Sequence, residues 1–515
     1  MKKIRNILMA AAAIVSMAAC SEKALDKVNE DVNHSQDASA QFVFADLCLA
    51  TAYTTVGGDF NTYLGVAVEH WAGVHNQLYK AEKRDGEWIS SSCFNNAWVG
   101  VYYNISNCRV VIAKTEDDSS SSDAGNAALN GAAKVLYAYN AAVLTDLFGD
   151  VPYSQACNYN EYKTPAIDKQ EDIYKDINKN LDEAIAELEA AVAAGANLGI
   201  GSYDFIYNGN SAKWLKFAYG LRARLTMHTI LRASDKNAAY DKIIADADKS
   251  FASAADQAQF AKYDGDSQLN PLFMYWYSRE GIASSQSLAD KLSARNDPRA
   301  NIMFSTPWDC EYVDPAETDC VPNGEGDEVQ EAYTDYCFFL ALDAPTYLLS
   351  YAEVQFLKAE ALARKGDDNG AKDAAKAGIE AAFKIMNENV TSAINMWGYT
   401  YDGALLADTD ADAYYTAQLG GKSGDALLGE IMVQKYLSFL GANGGSVEAY
   451  NDVRRLMAEG KNYIALSNPN NAKNKFPLRC GYGSSDTTTN PNIQSAFGDG
   501  SYVYTEPVWW ANGTR

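Results

Sequence analysis

The strongest constraint on the fold is a repeated helical periodicity. Ile173, Ile177, Leu181, Ile185 and Leu188 recur every three or four residues, with Lys175, Asp182, Glu183 and Glu187 on the other faces. That spacing predicts an amphipathic helix with one buried stripe. The pattern returns over 211–232, with Trp214, Leu215, Ala218, Leu221 and Leu225 inward and Ser211 as the expected N-cap. An alanine-rich helix is expected over 127–148, stopped by Gly149 and Pro152. Further helices are expected over 347–365, 369–388, 425–440 and 447–459. Long helices joined by short turns, with Ala and Tyr on their contact faces, predict a mainly α fold of stacked hairpins of the tetratricopeptide type. Between 251 and 343, and again after 461, the periodicity gives way to loops rich in Gly, Pro, Asn and aromatic residues.

The amino terminus reads differently. Lys2, Lys3 and Arg5 precede an apolar run over 7–19, and Met17-Ala18-Ala19 leads directly into Cys20. A basic n-region, a short h-region and a small-residue cleavage site predict a signal peptide over 1–19. The run is shorter than the roughly 20 apolar residues that span a bilayer. A cysteine at the cleavage point is the lipidation site of a bacterial lipoprotein, and acyl chains on Cys20 would anchor residues 20–515 to a membrane. No linker divides that remainder, so it is expected to form one domain.

Net charge is −24, and losing the leader makes it more negative. Phosphate binding rests on clustered Lys and Arg, so nucleic acid is excluded as a partner. The cysteines are scattered without a C-x-x-C, which argues against a zinc site; a Cys310–Cys320 loop disulfide is an open expectation. His70 and His75 are not in an H-E-x-x-H arrangement, and neither a G-x-S-x-G nor a phosphate-binding glycine loop is present. Asp408, Asp410 and Asp412 imitate the start of an EF-hand loop. However, Ala413 and Leu419 stand where Gly and Glu belong, so no cofactor is expected and Ca²⁺ is only a weak candidate there. No pair among the 67 acids is singled out for glycoside hydrolysis, and no catalytic residue is assigned.

Aromatic content is the outlier, with 33 Tyr, 18 Phe and 9 Trp. Sugar rings present C–H faces that stack on aromatic planes, while Asn, Gln and Arg bond the hydroxyls. The candidate ligand contacts are therefore loop aromatics with polar neighbours. One group is Trp71, His75 and Tyr79, with Trp88 close by. The other is Tyr275, Trp276, Tyr277 and Arg279, followed by Trp308. Trp98, at helical spacing with Tyr102 and Ile105, is expected to pack, as are Trp509 and Trp510.

Several segments, in order, carry a family resemblance. They include Leu144-Thr-Asp-Leu-Phe-Gly-Asp-Val-Pro-Tyr153, Trp214-Leu-Lys-Phe-Ala-Tyr-Gly-Leu-Arg-Ala-Arg224 and Asn296-Asp-Pro-Arg299. Tyr351-Ala-Glu-Val-Gln-Phe-Leu-Lys-Ala-Glu-Ala361, Glu448-Ala-Tyr-Asn-Asp-Val-Arg-Arg455 and Pro507-Val-Trp-Trp510 continue the series. With the Cys20 box, the chain resembles the SusD/RagB family of outer-membrane lipoproteins of Bacteroidota. The resemblance implies helical hairpins packed against an irregular, loop-rich ligand-binding face and a non-enzymatic nutrient-binding role. It also implies a partner, a SusC-type TonB-dependent β-barrel transporter to which an oligosaccharide or peptide would be delivered. A lipid-anchored glycosidase and a purely structural subunit remain alternatives at this level.

Overall fold

The computed structural model describes residues 38–329 and 331–514; the leader and Cys20 lie outside them. The helical ribbon begins with α1 (Ala40–Ala50), α2 (Asn95–Thr115), α3 (Ala127–Phe148), α4 (Gln170–Ala193), α5 (Ser211–His228) and α6 (Lys236–Lys249). A short helix, α7 (Pro271–Arg279), lies in the long loop region. The ribbon then resumes as α8 (Tyr351–Arg364), α9 (Asp368–Ser392), α10 (Asp408–Leu419), α11 (Gly424–Ser438) and α12 (Ser446–Ala458).

Each helix packs on its neighbour in sequence: α1 on α2, α2 on α3, and so on to α6. α6 then packs on α8, and α8 on α9 and α11. The ribbon is thus continuous in space although residues 250–350 are looped out of it. Tetratricopeptide-like hairpins are what the apolar stripes require, since each two-sided helix must bury a face on both neighbours.

Local chemistry fixes the helix ends. Asn126 caps α3 by accepting from the Leu129 amide, and Gly149, at φ +78°, ends it. The cap of α5 is Asn210, which accepts from the Lys213 amide, while the expected cap Ser211 is the first helical residue. Residues 346–349, read from sequence with the following helix, instead form strand β8. Ser350 then caps α8 by accepting from the Glu353 amide.

Several charged residues buried inside the ribbon are paired. Arg224 on α5 forks onto Glu353 of α8 at 2.6 and 2.7 Å. Arg455 on α12 forks onto Glu360 of α8 at 2.6 and 2.8 Å and also reaches Asp452. Burial would raise the Glu360 carboxyl, but Arg455 and Arg364 outweigh it and hold it down at about 2. His228 lies between Asp146 at 2.9 Å and Glu448 at 2.8 Å. Burial opposes its charge, yet the two carboxylates push it up to about 9.

Among the described residues the short strands form antiparallel pairs, and three of these pairs involve the looped-out region. Those that matter for the site are β1 (Ala72–Gly73) with β5 (Ile282–Ala283), and β6 (Phe304–Ser305) with β7 (Asp335–Tyr336). A bridge between Glu311 and Thr400 adds the segment after α9. Among the described residues no helix is long and apolar enough to cross a membrane.

Candidate ligand site on the looped-out face

α7 is the organising element of this face. Asn270 caps it by accepting from the Leu272 amide, and its amide group donates to the carbonyls of Ala344 and Ala442. Pro271 occupies the first helical position, where a missing N–H is harmless. Glu280, at φ +49°, terminates the helix. Nine residues make little more than two turns, so the aromatic residues of α7 divide between faces.

Phe273, Trp276 and Tyr277 face one way. The Tyr277 ring stacks on Phe273 at 5.7 Å and 7°, and meets Trp397 edge-on at 5.4 Å. Trp276 contacts Trp397 at 6.4 Å and Trp308 at 5.5 Å. Tyr277 and Trp308 are exposed, at 49% and 39%, and Trp397 is half-buried. The ring contacts run Tyr277, Trp397, Trp276, Trp308, but Trp276 is only 3% exposed. The aromatic surface is therefore Tyr277, Trp397 and Trp308. Trp276 backs it from the core, which corrects its assignment as a direct ligand contact.

Trp308 is held by an unusual turn. Its φ is +63°, and the Asp309 amide donates to the Pro307 carbonyl at 2.7 Å. A hydrogen bond across two residues centred on positive φ is a strained γ-turn, rare for a bulky side chain. The flanks are locked by the Thr306–Glu311 pairing and by the Thr400 amide on the Cys310 carbonyl at 2.9 Å. Strain of this kind persists only where the surroundings impose it, and it gathers at binding sites. Here its effect is to hold an indole out toward solvent.

Beneath Trp308 a narrow cleft with about 20 Å³ of free volume, room for one water-sized group, is lined by Val74, Trp276, Glu280, Ile282, Ala283, Pro307, Trp308, Val329, Glu331, Tyr333 and Asp335. Asp335 is 5% exposed and accepts from Trp276 Nε1 at 2.9 Å. Burial pushes its carboxyl up to about 7, a rise that the indole hydrogen bond only partly opposes. The Asn76 amide donates to Glu328 at 2.9 Å, and His75 stands 3.8 Å from the same carboxylate. Since Val74 and Val329 line the cleft, His75 comes to its rim.

The other sequence candidates fall elsewhere. Trp71 is 1% exposed and donates to the Thr62 carbonyl; its ring fills the place where a Cβ on Gly65 would sit. Trp88 is fully buried and donates to the Ala81 carbonyl. Both are core residues, which corrects their assignment as ligand platforms. Tyr79 is half-buried with the Lys83 ammonium 5.3 Å from its ring.

Tyr275 and Arg279 look away from the aromatic surface, toward Asp59 and Glu87: these carboxylates add to the burial that raises the Tyr275 hydroxyl, and Arg279 opposes it. Asp408, Asp410 and Asp412 are not a loop but the first turns of α10. Asp410 there accepts from the Ala407 amide, while Asp412 and Asp408 pair with Lys376 and Lys384. Cys310 and Cys320 are buried free thiols, so the loop disulfide does not form. Trp98 and Trp510 are fully buried as expected. Asp335 and Trp397 escaped the sequence reading, and only the aromatic character of Trp397 hinted at a role.

A family model described as "Starch-binding associating with outer membrane" matches residues 36–482. A SusD/RagB family protein from Bacteroides thetaiotaomicron is 42% identical. The match covers 93% of this chain and 100% of that one, with a TM-score of 0.86. A chitin-binding protein is 26% identical over 92% of this chain and 99% of its own, with a TM-score of 0.69. A SusD homologue from Bacteroides fragilis, at 21% identity over 92% and 99% of the two chains and a TM-score of 0.69, shows the same fold. No curated protein matches. With helical hairpins, a looped-out aromatic face and a family match over most of its length, this chain belongs to the SusD-like family.

Proposed function

We propose that this protein captures an oligosaccharide on the Tyr277–Trp397–Trp308 surface and passes it to a SusC-type TonB-dependent transporter while anchored to the outer membrane through Cys20. The observation that carries the reading is the aromatic surface itself, with one indole held out by a strained turn. Aromatic side chains at the surface cost solvation unless a ligand covers them, and their flat faces suit the C–H faces of pyranose rings. The leader, the Cys20 box and the family match support the anchor and the partner.

The role is binding, with transport supplied by the barrel. Isothermal titration with a panel of glycans and peptides tests it. The reading predicts saturable binding to at least one glycan and no product released from a labelled oligosaccharide. Binding to peptides alone would move the ligand class, and cleavage would make the protein an enzyme.

A further inference from the structure

The cleft under Trp308 has a charge pattern that a neutral sugar does not use. Three carboxylates line it, Glu280, Glu331 and Asp335, while none of its lining residues is a lysine, arginine or histidine. Elsewhere in the molecule buried acids are either paired with cations, as Glu353, Glu360 and Glu448 are, or hold several N–H donors, as Glu69, Glu82 and Asp204 do. Among the described residues these three have no cationic partner. Asp335 is the telling one, because it is 95% buried and the single hydrogen bond to its carboxylate comes from Trp276 Nε1 on Oδ2. A carboxylate withdrawn from water without a cation is costly. It lies beside two indoles and the half-buried Tyr333, whose π-faces also favour positive charge.

We propose that this cleft receives a protonated amine, the unacetylated amino group of a hexosamine unit, while that unit's ring rests on the exposed Trp308. The assignment builds on the reading of the aromatic surface as a sugar site and adds the ligand's charge. A hexosamine joins the two observations in one small molecule. Its ring needs a flat aromatic face, and its ammonium, one bond from the ring, needs acceptors and π-density without competing cations. A basic peptide would use the acids but leave the ring-sized face of Trp308 unused.

The test compares fully N-acetylated with fully N-deacetylated chito-oligosaccharides of equal length by isothermal titration of the purified protein. The expected result is about tenfold tighter binding of the deacetylated form. That advantage should shrink between about 0.05 and about 0.5 M salt. It should also fall to near parity in Glu280→Gln and in Asp335→Asn. Glu280 is half-buried at a helix end and makes no side-chain bond, so its variant guards against a folding failure of Asp335→Asn.

Equal or tighter binding of the acetylated form overturns the proposal. So does an advantage that survives both substitutions, or equally tight binding of trilysine. Binding of another neutral glycan but of neither chito-oligosaccharide overturns it while leaving the sugar site standing. If no glycan binds at all, the wider reading fails with it.

Discussion

His228 offers the most quantitative test of the buried charge network. Its imidazole is held between Asp146 and Glu448 and titrates near 9 rather than 6.5. A group whose folded pKa is raised stabilises the fold below its unfolded pKa and loses that contribution as pH climbs through the folded value. A shift of that size corresponds to about 3 kcal/mol, present in full below about pH 6.5 and gone above about pH 9.

Other groups titrate nearby. Burial holds His70 down at about 3, where it opposes stability in acid, and holds Glu82 and Asp335 up at about 7. Their effects are common to wild type and variant, so the difference between the two isolates His228. Urea unfolding of wild type and His228→Gln at a series of pH values reads that difference. The variant's deficit should shrink by about 3 kcal/mol between about pH 6 and about pH 10, at no more than about 1.4 kcal/mol per pH unit. A deficit that stays constant across this range would refute the claim that His228 is charged in the fold.

Other substitutions separate platform from scaffold. Trp308→Gly removes the platform while relieving positive φ, so oligosaccharide affinity should drop about tenfold with Tm unchanged or raised; titration and a thermal melt read the two effects. Trp71→Ala should do the reverse, costing about 3–5 kcal/mol of stability in urea while the folded protein keeps its glycan affinity. Arg224→Met strands Glu353 in the core and should cost about 3–5 kcal/mol, whereas Arg224→Met with Glu353→Leu should recover most of it. Cys20→Ala should move the protein from the membrane to the soluble fraction without changing its ligand affinity in solution, as fractionation and titration would show.

The helices were legible because their stripes repeat over many turns, as in α4 and α9. For α3, which is buried on nearly every side, the signal was an alanine-rich run ending at Gly149 and Pro152. Their ends were less so: Asn210 and Ser211 are both competent caps, and only the register of the Lys213 amide decides between them. Tyr347 and Leu348 read as helix because they are apolar and adjacent to one, but pairing of β8 with β4 (Ala258–Phe260) claims them.

The site was half legible. The cluster of aromatics in 275–277 and at 308 was visible, yet its division between two faces depends on which neighbours α7 meets. Trp71 was misread because what buries it is partly an absence, the missing Cβ of Gly65, and partly Phe339, far along the chain. Asp335 and Trp397 join Trp276 only through the β6–β7 pair and the Glu311–Thr400 bridge, contacts that no local pattern announces.

The central claim is that the looped-out aromatic face is where ligand sits. A crystal structure of the protein with a bound oligosaccharide tests it most directly. The account predicts a sugar ring against Trp308 with neighbouring contacts to Trp397 or Tyr277. A ligand lodged instead in the apolar groove of Tyr53, Leu269 and Met274, with Trp308 bare, would contradict it.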